Sequence, residues 1–460
     1  MCCVDPRAFL SQFLTSLVPR PGLRVVRCPT VTDAASKPIP SFASALSVRS
    51  DSVGAVREII ERAEHRMQGT TPDFGFLFLT PDHIPQAPSI VQAICERTGV
   101  RSLISVSARG VIGSGLEIEG APGLSLLLGS IPGVQARPFR LQDLPKVPKH
   151  PSEEWGPEVL RPAIKAGDRS EENLAAIFLF PDPYSMPLVR LLPAISDEAR
   201  EAPVIGGLAS AGQAPGQNIL GINEHLSNSG GVGLSLIGHT SVTGVVSQGC
   251  KPIGPTLVVT KARGNVLLEL AGKKAADVVR DVIQSLNDSQ RKQLKQGLLI
   301  GRVINEYKDH FGQGDFLIRS ITGFDQNHGA LLTDDFFKVG QTIKLHVRDA
   351  ATSDSDLTML LDAQKLNDTP SAGLVFSCTG RGRALFREPN HDVNAINRAF
   401  SPEPAGEQRA KSGEQIDVAR PTIPLAGFFS AGEIGPIGGK SLLHTYTASL
   451  AFFRNARPGF

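Results

Sequence analysis

The sequence predicts a layered α/β protein whose mixed sheets are assembled from an internally repeated strand–helix–strand–strand unit. Three observations lead there. Continuous apolar runs occur at Phe74–Leu79, Ala176–Phe180 and Gly373–Cys378, each closed by Pro or Gly. Such runs, lacking polar alternation, read as strands covered on both faces. Each is followed by a helical stretch and then by a second strand ending in Ser-Ala-Gly or a near variant: SVSARG at 105–110, LASAG at 208–212 and FFSAG at 428–432. The spacing recurs too, since 28 residues separate Asp82 from Gly110 and 30 separate Asp182 from Gly212. Recurrence at matched spacing marks a repeated module.

The elements follow in order. In the first unit Phe76–Leu79 is the central strand, Ser89 caps a helix through Ile90, Val91 and Ile94 that Gly99 ends, and Gly123–Leu128 returns as a strand. In the second, Ile177–Phe180 is central, Leu188–Leu192 make a short helix stopped by Pro193, and Gly231–Ile237 returns. In the third, Leu374–Phe376 is central, Asp392 caps a helix through Val393, Ile396 and Phe400, and His444–Phe453 returns. Between the second and third units lie a hairpin around Arg263-Gly264, a helix from Ala275 to Leu286, and strands at Phe316–Ile321 and Gln341–Arg348. A helix through Leu357, Leu360 and Leu361 starts at Asp354 or Asp356. Arg137–Asn173 and Ser401–Thr422 read as long polar loops.

The 460 residues include 47 basic and 45 acidic side chains, a net charge of +2. That balance gives no electrostatic reason for a nucleic-acid or anionic-membrane partner. Three Tyr and one Trp do not furnish a stacking platform for single-stranded nucleic acid. At 41% hydrophobic and 20% charged residues the chain is neither disordered nor collagen-like, and no run of 18 apolar residues could span a membrane. Cys2, Cys3, Cys28, Cys95, Cys250 and Cys378 are scattered without a CxxC pair, which fits free thiols in a reducing compartment. No histidine spacing suits a local zinc site, and neither metal nor cofactor is expected. Residues 1–40 carry five basic and two acidic residues, with Phe9, Leu10, Phe13, Leu14 and Leu17 on one helical face. This arm reads as disordered or as a transit peptide for a plastid or mitochondrion; without it the protein is cytoplasmic.

Several motifs imitate chemistry. GPIGGKS (435–441) is one residue short of a phosphate-binding loop and precedes a strand instead of a helix. GVIGSG (110–115) lacks dinucleotide-fingerprint spacing, and LASAG and FFSAG lack the first glycine of a nucleophile elbow. Cys378 is more promising: Arg381 and Arg383 follow it between glycines, an arrangement that would favour thiolate and grip an anion. Glu433 and His444, at matching ends of the last hairpin, form a candidate acid–base or ligand-binding pair, and Cys250 joins the set.

VSQGCKPIGP (246–255), FSCTGRG (376–382), GFFSAGEIGP (427–436) and HTYTASLAFF (444–453) together resemble the C-terminal half of the FIST family. FASALS (42–47) and SARGVIGSGLEIEG (107–120) resemble its N-terminal half. The resemblance divides the chain into an arm (1–40), FIST-N (41–240) and FIST-C (241–456). It implies a non-catalytic sensory protein for a small, amino-acid-like ligand, which signals through a protein output partner. Relatives carrying an F-box imply another role, recruitment of a protein to ubiquitin ligation, but residues 1–40 hold no Leu-Pro opening for an F-box. A third reading is an enzyme using Cys378 or the Glu433/His444 pair. On the sensor reading the ligand site is Cys378, Arg381, Arg383, Glu433, His444 and Cys250, with the equivalent turns at Gly110 and Gly212 as the competing location.

Overall fold

Each apolar run becomes the middle strand of its own six-stranded sheet in the computed structural model, which describes residues 39–143, 157–164, 173–294, 297–400 and 423–455. The first unit contains β1 (Ser41–Ser47), α1 (Ser52–Met67), β2 (Phe74–Leu79), α2 (Ala87–Thr98), β3 (Ser102–Ser107), β4 (Gly110–Gly113), β5 (Leu116–Glu119) and β6 (Leu124–Ser130). The second repeats that order with β7 (Gln135–Arg140), α3 (Pro157–Ile164), β8 (Leu174–Pro181), α4 (Leu188–Ala199), β9 (Val204–Gly207), β10 (Leu220–Ile222), β11 (His225–Ser227) and β12 (Gly231–Ile237). The third opens with β13 (Thr240–Gln248) and then receives an insertion. The insertion holds β14 (Cys250–Arg263), β15 (Val266–Leu270), β16 (Lys273–Lys274), α5 (Ala275–Ser285), α6 (Asp288–Gln293), β17 (Leu298–Val303), β18 (Phe316–Asp325), β19 (Ala330–Thr333) and β20 (Thr342–Arg348). The third unit resumes with α7 (Ala350–Gln364), β21 (Ala372–Cys378), α8 (Gly382–Leu385), α9 (His391–Phe400), β22 (Leu425–Ser430), β23 (Glu433–Ile437), β24 (Lys440–His444) and β25 (Thr447–Asn455).

The three units pair their strands alike. The central strand is parallel to the strand after its helix (β2–β3, β8–β9, β21–β22) and antiparallel to the returning strand (β6, β12, β25). The opening strand closes the outer edge (β1–β6, β7–β12, β13–β25). Each unit also gives away its hairpin. β4–β5 of the first unit extends the third unit's sheet through β22, β23–β24 of the third extends the second through β9, and β10–β11 of the second extends the first through β3. The exchange forms a closed ring, so no unit completes a sheet alone. At matching places in two parallel pairs the strands approach too closely for a side chain: a Cβ on Gly206 would lie 2.0 Å from the Leu179 carbonyl oxygen, and one on Gly427 would lie 1.9 Å from that of Val375. The insertion closes on itself, because β14 pairs with both β20 and β15 and the strands between are antiparallel throughout, giving a small barrel packed by α5.

Alternation along the central strands sorts the core. Phe76, Phe78, Phe178, Phe180, Leu374 and Phe376 point to one core shared by all three sheets. Leu77 and Leu79 face α1 and α2, Ile177 and Leu179 face α4, and Val375 faces α7 and α9. One phenylalanine from each central strand meets at the centre, with ring centroids 6.1 Å apart for Phe78–Phe180, 6.2 Å for Phe78–Phe376 and 5.5 Å for Phe180–Phe376, all edge-to-face.

Some sequence expectations need correction. The stretch Arg137–Asn173 is not simply a loop: β7 and α3 fall within it or overlap its start. Pro138 is tolerated because β7 is an edge strand. Pro193 does not stop α4. The carbonyl it deprives of a partner belongs to Val189, a residue 42% exposed on the outer face of the helix, while Leu191, Leu192 and Ile195 remain buried. Asp349, not Asp354 or Asp356, caps α7 by accepting from the Thr352 amide at 2.9 Å. Ahead of α2 a 3-10 turn over Pro81–Gln86 replaces the Ser89 start, and Tyr446, at φ 61°, separates His444 from the last strand. Residues 1–38 of the N-terminal arm, with Cys2, Cys3 and Cys28, and all of Ser401–Thr422 lie outside the described residues.

The central phenylalanines give a direct test. Phe180→Ala removes a fully buried ring that touches both partner strands, and is expected to lower unfolding free energy by about 3–5 kcal/mol in urea titration. The half-exposed Phe324→Ala should change it by under about 0.5 kcal/mol. Equal effects would show that the junction is not the stabilising centre.

Candidate functional site

The three parallel pairs all run their carboxyl ends toward one place, where a cavity of about 450 Å³ opens. The first unit lines it with Asp82 after β2, Arg109 after β3 and Gly120-Ala121 after β5. The second supplies Pro183-Tyr184 after β8 and Ser210–Gln213 after β9, and the third supplies Thr379 after β21 and Ala431 after β22. In sheets of this kind strand carboxyl ends are where chain turns leave room for a ligand.

Hydrogen bonds fix these turns. The Ser210 hydroxyl accepts from the Arg109 amide at 2.9 Å and donates to the Phe429 carbonyl at 2.5 Å, so one side chain stitches the three units under the cavity. Asp182 is buried and accepts from Tyr184 N, the Ser185 hydroxyl and Asn218 Nδ2 at 3.2, 2.7 and 2.8 Å, holding the second unit's turn. Thr80 accepts from Gly123 N at 2.9 Å and donates to Asp82 Oδ2 at 3.1 Å. The Tyr184 hydroxyl donates to the Gly212 carbonyl at 3.4 Å. The Arg109 guanidinium makes no hydrogen bond or ion pair among the described residues and stands exposed at the cavity.

None of the six residues singled out in the sequence lines this cavity; four of them lie buried in the third unit next to it. Cys378 precedes the cavity residue Thr379, but its thiol is 6% exposed. Burial, then the Glu433 carboxylate, push it up to about 12, so the neighbouring arginines do not make it a thiolate. Cys250 is pushed up to about 12 by burial as well. Arg381 is fully buried against Asp392, with Nη2–Oδ1 at 2.8 Å and Nε–Oδ2 at 3.1 Å, and so grips a protein carboxylate. Arg383 is exposed; its amide donates to Glu119 Oε1 at 2.9 Å. Glu433 and His444 are register partners across β23–β24, yet each bonds elsewhere. Glu433 accepts from the Ser430 hydroxyl at 2.5 Å and from Thr447 N and Oγ1 at 3.1 and 2.8 Å, while burial lifts it to about 7. His444 donates from Nε2 to the Gly435 carbonyl at 3.0 Å, and burial lowers it to about 4. Among the described residues no group of His, Cys, Asp and Glu gathers in metal-ligating fashion.

Two cavity walls are clasped together behind the site. Glu117 lies on the hairpin that carries Gly120 and Ala121, and its Oε1 accepts from Val393 N at 3.0 Å. Asn390 Oδ1 accepts from Glu117 N at 2.7 Å. Burial and then the Asp392 charge raise the Glu117 carboxyl far above its usual range. Burial opposes ionisation of Asp392 too, but Arg381 and His391 outweigh it and hold that carboxyl low.

The turns that carry the sequence motifs line this cavity, through side chains other than the six singled out. Arg109 and Ser210 sit inside the repeated Ser-Ala-Gly motifs, and Asp82 and Asp182 anchor the spacing. The signal was the repetition itself: three equivalent turns imply one shared meeting point.

Three mixed sheets closed by exchanged hairpins around a polar cavity define an α/β protein with a concave small-molecule-sized site. The chain belongs to the FIST family: the FIST N domain profile matches residues 73–273 and the FIST C domain profile matches 275–436. It is similar to the uncharacterized proteins Rv0628c and MT0897 of Mycobacterium tuberculosis. Rv0628c is 34% identical over 401 residues, covering 87% of this chain and 96% of the relative. MT0897 is 32% identical over 405 residues, covering 88% and 96%. Mb0898c of Mycobacterium bovis matches to the same extent as MT0897. FIST domains as a class are sensory domains that bind small ligands. No helix among the described residues is long and apolar enough to cross a membrane.

Two outcomes follow for the buried groups. Iodoacetamide at pH 8 should leave Cys250 and Cys378 unmodified in the folded protein and label both in concentrated guanidinium, as read by peptide mapping; rapid native labelling of Cys378 would restore it as a nucleophile. Glu433 binds its proton more tightly folded than unfolded, so its contribution to stability is full below pH 4.5 and is lost as pH rises through about 7. The stability of the parent relative to Glu433→Gln should therefore fall between pH 5 and pH 8, and a pH-independent difference would contradict the raised carboxyl.

Proposed function

We propose that this protein is a non-catalytic sensor whose ligand, a small zwitterion of the amino-acid class, occupies the cavity at the meeting of the three units. The observation that carries the reading is the unpaired Arg109 guanidinium in a cavity of about 450 Å³ that also presents the Asp82 carboxylate. A guanidinium is suited to a ligand carboxylate and a carboxylate to an ammonium. Pro183 and Tyr184 offer apolar contact for a side chain. The volume lies within the range of small-molecule sites. Cys378, Arg381, Glu433 and His444 then shape the third wall from beneath and touch no ligand. Absence of catalysis fits their condition: the thiol is held protonated, the guanidinium is ion-paired, and the hydroxyls of Ser210 and Ser430 are committed to Phe429 and Glu433. An output partner outside this chain would read the filled state. The mycobacterial relatives fit such a sensor better than recruitment to ubiquitin ligation.

A thermal-shift screen of free amino acids and their derivatives tests the reading. A true ligand at 100 times its Kd should stabilise the parent by about 2.7 kcal/mol. Arg109→Ala or Asp82→Asn should melt like the parent without ligand and bind roughly 10- to 150-fold more weakly, the cost of about 1.5–3 kcal/mol for losing a charged hydrogen bond. Unchanged binding by both variants would remove the ligand from this cavity.

A further inference from the structure

We propose a second small-molecule site, separate from the cavity above, that takes an amphipathic organic anion: a carboxylate or phosphate ester on an apolar body. It lies between the inserted barrel and the tip of hairpin β23–β24, in a cavity of about 640 Å³. A smaller cleft of about 100 Å³ continues it and shares Arg302, Leu317 and Leu442.

The walls are of two kinds. Val303, Ile304 and Leu317 from the barrel face Ile437 and Leu442 of the hairpin, an apolar lining from two separate parts of the fold. The polar groups are charged, and their occupancy is uneven. The acids have protein donors: Glu306 accepts from Thr342 N at 2.8 Å, and Asp315 accepts from Lys308 Nζ at 2.5 Å and Gly312 N at 2.8 Å. Asp334 accepts from Ser320 N at 2.9 Å, and Asp335 accepts from Phe336 N at 2.7 Å. A single oxygen, Asp335 Oδ2, serves two guanidiniums, Arg319 Nε at 2.7 Å and Arg302 Nη2 at 3.3 Å. Arg302 thus has the poorer share, and its Nε is buried without a partner. Among the described residues the Lys440 ammonium pairs with the exposed Asp197 alone, at 3.5 Å. The buried polar atom left without a partner in this lining is thus a donor, Arg302 Nε, which costs free energy until an acceptor meets it, and the exposed Lys440 ammonium adds a second positive charge at the hairpin tip.

The same placement explains the GPIGGKS segment. Gly438 and Gly439, at φ 61° and 79°, form the tight hairpin turn, which sets Gly438 and Lys440 on the cavity wall. The glycines serve a turn and the lysine faces a ligand space, with no helix involved. The hairpin also spans both sites: Ala431, just before β23, lines the first cavity, and its tip lines the second.

The test uses decanoate and decyl phosphate as probes, with inorganic phosphate as the head-group control, followed by calorimetry and thermal shift on the full chain. Saturable binding of either amphiphile is expected in the parent and in Arg109→Ala, with the preferred probe naming the head group. Arg302→Met and Lys440→Glu should each weaken it at least tenfold, and inorganic phosphate alone should give no shift. If Arg302→Met fails to fold, Lys440→Glu and Leu442→Asp decide. The proposal is overturned if neither amphiphile binds saturably, if these variants bind like the parent, or if Arg109→Ala abolishes binding, which would place the probe in the first cavity. Failure here leaves the amino-acid screen untouched, because that screen reads Arg109 and Asp82.

Discussion

Everything in this fold hangs on the contact of Phe78, Phe180 and Phe376. A buried phenylalanine removes a large apolar area from water, and edge-to-face packing fixes the direction of its ring as well as its position. Three such rings, one from near the carboxyl end of each central strand, hold three sheets at one point. The strands enter that point with the same polarity, so their carboxyl ends emerge together. The cavity is the geometric consequence of that junction, and its lining is whatever follows each strand: Asp82 in the first unit, Pro183 and Tyr184 in the second, Thr379 in the third.

The exchanged hairpins turn this junction into a single cooperative object. Each sheet lacks its last two strands until another unit supplies them, and the donor is far away in sequence: β22 pairs with β4, which lies more than three hundred residues earlier. Such pairings carry a high loop-closure cost and form late. They also explain why family boundaries and structural units differ. The FIST N match ends at residue 273 and the FIST C match begins at 275, inside the barrel, whereas the repeat boundaries fall before β7 and β13. Two of the three six-stranded sheets draw strands from both sides of that boundary, whereas the first, β1-β6-β2-β3-β10-β11, lies wholly before it.

Beneath the cavity the polar groups are structural in a demanding sense. Ser210 joins an amide and a carbonyl from the other two units, and Asp182 and Glu433 each collect three donors or more. Arg381 and Asp392 form a wholly buried ion pair, which is strongly destabilising to break from either side. Buried polar networks of this kind specify one arrangement among several that hydrophobic packing would tolerate. They keep the turns in place, and with them the exposed Arg109 and Asp82 at the cavity.

Apolar runs and repeated turns settled the class of fold, the central strands and the existence of a three-part repeat, because burial on both faces of a strand leaves a continuous apolar signature that needs no partner to be read. Helix stops were legible where a glycine adopts positive φ, as at Gly99, and misread where a proline lies one turn after an exposed residue, as at Pro193. Strand β7 escaped notice because an edge strand tolerates Pro138 and buries few side chains. The site was half visible. The Ser-Ala-Gly turns were found, but a sequence does not show that three distant turns meet, nor that Cys378, Arg381, Glu433 and His444 face inward while Arg109 faces out. Local chemistry beside an arginine or a glycine is a one-dimensional property, whereas burial, which raises the Cys378 thiol and commits Arg381 to Asp392, is decided only when the three sheets close on one another.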